Sequence, residues 1–304
     1  MKVLKCNLST SLSFMQFHSN NSMIIKKFSL DFNKTSKSKF SDLVFDYGAT
    51  SLPHIEKRSK GGEDAHIVDS KIIIVADGVG GWNEVGVDPS KYSKELTQNI
   101  LSEYKKSPNS KILDIFVNAC KSVKNRGSST CCLCRINENG TLDSLNLGDS
   151  SFIILRPFIE NKKLNFELKY ESQEQTHSFN FPYQVGEGGD NPKSAEVKNH
   201  EVIHNDIIIL GSDGLWDNIS SNNIIKLMMK YFEIKEDKSD SVLTTDLKNS
   251  QAISEMLTKT AETLSLDSSY KSPFAERSRG LYHGGKHDDI TIIVAQIKNQ
   301  SSKF

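Results

Sequence analysis

The sequence has no long hydrophobic run. None of its 304 residues falls in a segment approaching the ~20 apolar residues that a membrane-spanning helix needs. Its most apolar stretches, Ile72 to Ala76 and Ile207 to Leu210, have only strand length. Net charge is missing as well: 38 Lys and Arg balance 38 Asp and Glu. That balance removes the usual electrostatic case for a nucleic-acid or membrane-surface partner. Cysteines are few and odd in number: Cys6, Cys120, Cys131, Cys132 and Cys134. Three of them crowd one strand-like segment, where neighbours cannot easily staple a fold, so a reduced compartment fits better than secretion. The CC-x-C run lacks the spacing and the further ligands of a zinc site. On a strand, Cys132 and Cys134 share a face and Cys131 points the other way, which suits small apolar packing. There are no internal repeats.

What the chain does have is acid held in Gly-flanked turns. GGEDA (61–65), ADGVGG (76–81), NLGDSS (146–151), GSDGLWDN (211–218) and KHDDIT (286–291) are spread over more than two hundred positions. Three of these abut runs that read as buried strands. A carboxylate at the end of an apolar strand is costly unless something cationic compensates it. No Lys or Arg lies inside ADGVGG or SDGLWDN. Mg²⁺ or Mn²⁺, hard cations that take oxygen ligands, are the natural partners of such a set.

Residues 1–42 form an N-terminal extension of different composition. Residues 1–40 are rich in Lys, Ser, Asn and Phe, hold no Arg, and have Asp31 as their only acid. The segment reads either as an organelle transit peptide or as a disordered tail. The remainder, 43–304, reads as one domain. Residues 44–49, 65–69 and 71–77 are strand-like. Asp88 and Pro89 begin a helix as N-cap and first helical residue. Within it Tyr92, Leu96, Ile100 and Tyr104 recur every four positions and bury one face. A second helix starts near Ser110. Strands follow at 129–136 and 141–148, joined by the turn NENG, then at 151–157 and 164–170. Residues 171–200 read as a long polar surface loop, of the kind that is more often functional than not. A strand at 207–212, helices near 220–232 and 250–265, and a strand at 290–297 complete the order. This is not regular βαβ alternation. It predicts an α+β fold with antiparallel sheets and helices outside.

With these motifs in this order, the chain resembles the metal-dependent Ser/Thr protein phosphatases of the PP2C (PPM) family. LPHIEKRSKGGEDA, GVDPSKYS, FNFPYQ, SPFA and GGKHDDIT look more specifically like the PTC7-like branch, which is associated with mitochondria and chloroplasts. The resemblance covers about residue 50 to the C-terminus. It implies a PP2C-like α/β/β/α sandwich, two antiparallel sheets flanked by helices. It implies hydrolysis of phosphoserine and phosphothreonine in phosphoproteins by metal-activated water. No covalent phospho-enzyme is expected, on the reading that the chain has no C-x₅-R nucleophile motif, and the chain is expected to act as a monomer. Asp77 would bridge two Mn²⁺ or Mg²⁺ ions about 3.5–4 Å apart. Gly78 would offer its carbonyl to one of them, Asp213 and Asp288 would ligate the other, and Glu63 and Asp64 would act through water. Asp289 stands beside Asp288 as a neighbour. Asp149 and Asp217 match positions that hold a third, weaker ion in relatives, or else cap a turn and the following helix.

Two departures stand out. The family's His after DG is Val79 here, which cannot donate a proton; the leaving group's proton would come from metal-bound water or from another group such as His283 or His287, unless these are solvated loop residues. The Arg that the family often places four residues before the Glu of ED is Ser59 here; Arg58 is one residue off and Lys57 two, and Arg58 is expected to serve instead, its fork matching phosphate oxygens, or else to be a surface cation. Trp82 and Trp216 read as packing beside the site. The FNFPYQ segment is expected to wall the substrate cleft. Two other functions fit the same residues: a metal-binding scaffold without turnover, and a hydrolase of small phosphate esters.

Overall fold

A computed structural model describes residues 43–160, 163–236, 243–247 and 249–300. The N-terminal extension, with the targeting expectation placed on it, lies outside the described residues.

Ten principal strands form two antiparallel sheets. The strands are β1 (Leu43–Leu52), β2 (Ala65–Val68), β3 (Ile72–Ala76), β4 (Cys131–Ile136), β5 (Thr141–Leu147), β6 (Ser151–Glu160), β7 (Lys163–Glu171), β8 (Glu196–Glu201), β9 (Ile207–Gly211) and β10 (Ile290–Asn299). One sheet runs β1-β10-β9-β6-β7, the other β8-β5-β4-β3-β2. Their inner faces meet in one core: Phe45, Phe152, Ile154, Ile208, Leu210, Ile293 and Ala295 face Ile73, Val75, Cys132, Cys134 and Leu142. Cys131, one residue out of step, points to the opposite face and packs with the helices. The alternation read from the sequence therefore holds, since neighbouring strand side chains point to opposite faces.

Helices cover both outer faces. The second sheet packs against α1 (Pro89–Lys106) and α2 (Ile112–Ser122) through Leu96, Ile100, Ile115 and Phe116. Asp88 caps α1 by accepting from Ser90 N at 3.1 Å, and Pro89 opens the helix. The first sheet packs against α3 (Asp213–Trp216), α4 (Ser221–Met228) and α5 (Ser250–Ser265). Between α5 and β10 sits α6 (Pro273–Arg277). The layers are helix, sheet, sheet, helix, as the resemblance implied. Among the described residues no helix is long and apolar enough to cross a membrane.

The 171–200 stretch is not one loop. It contains a short ribbon, Thr176–Ser178 with Phe181–Pro182, and the edge strand β8. β8 has the sequence EVKNHE and is nearly all polar, because an edge strand buries little and charge blunts further pairing. Apolar periodicity therefore could not reveal it. A strand pair at Phe232–Glu236 and Leu243–Leu247 was also not foreseen.

Candidate active site

Antiparallel register brings the acidic motifs together. Ala65 pairs with Ala76, so the Glu63-Asp64 and Asp77 ends of β2 and β3 coincide. Gly211 pairs with both Ile292 and Ser151, so Asp213, Asp288-Asp289 and the Asp149 turn fall at the same end of the other sheet. Asp77, Gly78, Val79, Asp149, Asp213, Asp288, Glu63 and Lys57 line one cleft of about 270 Å³.

Two glycines permit this convergence. A Cβ on Gly78 would stand 2.7 Å from the Glu63 carbonyl and 2.9 Å from that of Pro89; one on Gly214 would stand 2.1 Å from the Asp289 carbonyl. The Gly after each Asp thus allows backbone segments to touch, beyond its value as a turn residue. The Asp77 main chain is pinned by Thr130 and Ser129: its N donates to Thr130 Oγ1 at 3.1 Å, and its carbonyl accepts from Thr130 N at 2.9 Å and Ser129 Oγ at 2.7 Å. Beneath Asp213, Trp216 Nε1 donates to the Ser151 and Gly211 carbonyls, both at 3.0 Å. Trp82 Nε1 donates to Ser128 Oγ at 2.6 Å. Trp216 packs in the core, while Trp82 is half-buried under the Arg126 guanidinium.

The two adjacent acids of DDIT do different things. Asp288 faces the cleft. Asp289, with a side chain only 3% exposed, clamps the preceding loop: Oδ1 accepts from His54 N at 2.6 Å and Oδ2 from Glu63 N at 2.7 Å. Asp64 is likewise buried; Oδ2 accepts from Ser212 Oγ at 2.7 Å, and Oδ1 has no partner.

The compensating cations are Lys57, which precedes GGEDA, and Lys286, the first residue of KHDDIT. Lys57 Nζ donates to Glu63 Oε2 at 2.5 Å and lies 3.6 Å from Asp289 and 3.8 Å from Asp288. Lys286 Nζ donates to Asp213 and, at 2.7 Å, to Asp217. The sequence offered Lys57 only as a cation two places from the family's Arg position, and gave no sign of the part played by Lys286. Arg58, expected to face the cleft, points away from it: its guanidinium reaches back to Glu262 of α5 at 2.5 Å, while Lys57 lines the cleft. The 3-10 turn Arg58–Lys60 rotates successive side chains to different sides, which a reading along a line misses. Asp217 does not cap α4, which begins after Ser220; its carboxylate lies between Arg277 and Lys286. His283 and His287 are exposed and do not line the cleft.

The cations do not cancel the acid. Burial, then the neighbouring Asp64, Asp213, Asp288 and Asp149, hold the Asp77 carboxyl well above the usual range. Burial and Asp289 push Asp64 up to about 8. Burial and Asp213 raise Asp149 well above and Asp288 to about 6. Burial also acts on Asp213, but Lys286 outweighs it and holds that carboxyl below its ordinary value. Such a set of crowded oxygens attracts further positive charge.

The residues fit a divalent ion. Among the described residues no three acidic or imidazole side chains converge as a ready-made ligand cluster. Mg²⁺ and Mn²⁺ do not require one, since they keep several waters and use few carboxylates. Asp64 Oδ1 and Asp213 Oδ1 are buried without partners, which is costly in the absence of a cation.

Cys120 is not placed as the nucleophile of a thiol-based phosphatase. Contrary to the expectation that the chain has no C-x₅-R motif, Cys120 and Arg126 have that spacing. Cys120, however, lies in the last turn of α2, and burial pushes its thiol up to about 12. Arg126 is bound to Glu187 at 2.8 and 2.9 Å. A nucleophilic cysteine needs a depressed pKa and a free cationic loop.

No protein-family model matches the chain. It is similar to probable protein phosphatase 2C 55 of Arabidopsis thaliana, 33% identical over 259 residues, 82% of this chain and 51% of that protein. It is similar to protein phosphatase PTC7 homolog fig of Drosophila ananassae, 31% identical over 262 residues, 78% of this chain and 74% of that protein. The chain spans about half the length of the first relative and 61% of probable protein phosphatase 2C 80 of Arabidopsis thaliana. Among solved structures, the photosystem II phosphatase PBCP superposes with a TM-score of 0.71 at 28% identity, covering 84% of this chain and 100% of that one. The catalytic domain of the serine/threonine phosphatase PstP, solved with two manganese ions, gives 0.51 at 16% identity over 84% and 99%, a likeness of fold alone. With acidic motifs, sandwich and relatives in agreement, the chain belongs to the PP2C family, in its PTC7-like branch.

Proposed function

We propose that this chain is a metal-dependent protein serine/threonine phosphatase that hydrolyses phosphoserine and phosphothreonine at the cleft around Asp77. The carrying observation is the gathering of the acidic motifs around unpartnered buried oxygens. Asp77, Asp213 and Asp288 would hold two Mn²⁺ or Mg²⁺ ions, with the Gly78 carbonyl as a further oxygen and Glu63 and Asp64 acting through water. When bound, the ions supply Lewis acidity toward water and the phosphoryl oxygens.

The rest is the work of the chain. Lys57, anchored by Glu63, faces the cleft from the loop that Asp289 clamps, and takes the phosphate-facing place foreseen for Arg58. Asn180 and Pro182 of the FNFPYQ ribbon close one side of the cleft, and Phe179 and Phe181 present exposed rings beside it to the peptide. Val79 lines the cleft where the family has a proton donor, so this chain offers no imidazole to the leaving alkoxide there. The protein acts as a monomer, and residues 1–42 direct it to the mitochondrion or a related organelle; a reporter carrying them that stays diffuse in the cytosol refutes the targeting part alone.

The test is Mn²⁺- or Mg²⁺-dependent phosphate release from a phosphothreonine peptide, with EDTA as control. Metal binding without turnover on any phosphopeptide would leave a scaffold. Turnover of p-nitrophenyl phosphate alone would leave a small-ester hydrolase.

A further inference from the structure

The Asp213 and Asp217 carboxylates already share a cation that belongs to the chain. Lys286 Nζ donates to Asp213 Oδ2 and, at 2.7 Å, to Asp217 Oδ2, and Asp288 Oδ2 lies 3.4 Å away. Its side chain is only 12% exposed. On its remaining side the ammonium stands 5.0 Å from the centre of the Phe274 ring. An ammonium has three donors and no acceptor, and three carboxylates surround this one.

The backbone holds this side chain in place. Lys286 N donates to Asn218 Oδ1 at 2.9 Å, and Asn218 Nδ2 donates to the Lys286 carbonyl at 2.9 Å. Asn218 is fully buried and also donates to the Gly214 carbonyl at 3.0 Å. The turn that carries Asp213 and Asp217 therefore also clamps the residue that neutralises them. Asp217 Oδ1 is taken by Arg277. Asp213 divides its oxygens: Oδ2 goes to Lys286, and buried Oδ1 keeps no partner and stays available to the cleft. Asp149 lines the same cleft, with no ion pair within 4 Å among the described residues.

We propose that Lys286 is a resident third cation: its ammonium holds the Asp213 and Asp217 carboxylates where a third divalent ion, with Asp149 of the same cleft as a further ligand, would otherwise bind, so the site takes two ions and no more. This rests on the reading above that the cluster binds divalent ions. The physical reason is that a fixed positive charge in a poorly solvated corner repels a dication and has already taken the lone pairs that would ligate it. A covalently tethered cation is also always present, whereas a weak third ion would come and go with its concentration.

The experiment measures Mn²⁺ bound per chain by equilibrium dialysis on EDTA-stripped full-length protein at millimolar Mn²⁺. Wild type and Lys286→Arg are expected to bind two ions, the number of a two-metal site. Lys286→Gln is expected to bind a third, and Lys286→Gln combined with Asp149→Asn to return to two. Ethylammonium added to Lys286→Ala is expected to compete with the third ion, which gives a second measurement should the Gln variant fold poorly. Two ions in wild type, Lys286→Gln and Lys286→Ala alike overturn the proposal while leaving the phosphatase reading intact, and so does a third ion already present in wild type. A wild-type chain that binds no Mn²⁺ overturns the phosphatase reading and this proposal with it.

Discussion

Replacing Asp289 by alanine and Asp288 by asparagine should give opposite phenotypes, although the two acids are adjacent. Asp289 accepts two backbone N–H bonds, from His54 at 2.6 Å and Glu63 at 2.7 Å, with its side chain 3% exposed. Hydrogen bonds to a charged group contribute about 1.5–3 kcal/mol each, and the unpaired N–H groups left behind add to the loss. Against that, the variant relieves repulsion between Asp289 and Asp64, which raises the Asp64 carboxyl in the native chain. The net expectation for Asp289→Ala is a loss of about 2–4 kcal/mol. For a folded region of this size that lowers Tm by roughly 5–15 °C. Asp288 is more exposed, with Lys286 and Lys57 at 3.4 and 3.8 Å as its cations. Asp288→Asn should change stability by less than about 1 kcal/mol, yet remove most phosphatase activity. The comparison is a thermal melt in EDTA, which takes metal binding out of the stability, alongside Mn²⁺-dependent phosphopeptide turnover. A Tm for Asp289→Ala within 2 °C of wild type would refute the clamp. An unstable Asp288→Asn with normal turnover would reverse the roles of the two acids.

Asp77→Asn and Asp213→Asn should each abolish most turnover with the fold intact, since amides bind these ions far more weakly; metal-free Asp77→Asn should melt no lower than wild type, because burial and four neighbouring acids disfavour the native carboxylate. Wild-type turnover in either folded variant would sink the assignment. Val79→His should raise kcat on alkyl phosphates by up to about 10²-fold, the lower end of a positioned general acid, and do little for p-nitrophenyl phosphate; an unchanged aryl-to-alkyl rate ratio means another group already supplies the proton. Burial, and then Lys198, hold the His200 imidazole below its ordinary 6.5, so the unfolded chain takes up a proton that the folded chain refuses. Stability from this group is full above 6.5 and is lost as pH falls below it. His200→Gln should flatten that part of the stability curve in urea titrations; a slope equal to that of wild type would count against it.

Much of the fold was legible because its signals are local. Asp88-Pro89 started α1 as read, since the cap and the fixed proline φ need no distant partner. The Cys131 and Cys132 faces followed from strand alternation alone. β8 was not legible, because a polar edge strand owes its existence to the neighbouring β5 and not to its own apolar pattern. The short α3 and α6 escaped for a similar reason: four and five residues carry no period, and tertiary packing holds them.

The sequence by itself determined the acids: which carboxylates stand at strand ends, that Asp77 and Asp213 are each followed by Gly, and that hard cations suit them. Only the tertiary structure decided which charges answer those acids. Lys57 and Lys286 reach them from 6 and 73 residues away along the chain, while Arg58 turns to Glu262, 204 residues away. It also divided Asp288 from Asp289, one facing the cleft and the other tying Glu63 to β10 across 226 residues. Charge acts through space, whereas a motif is read along the chain. Carboxylates set in strong local turns can therefore be found from their neighbours, and their counterions only from the fold that brings them near.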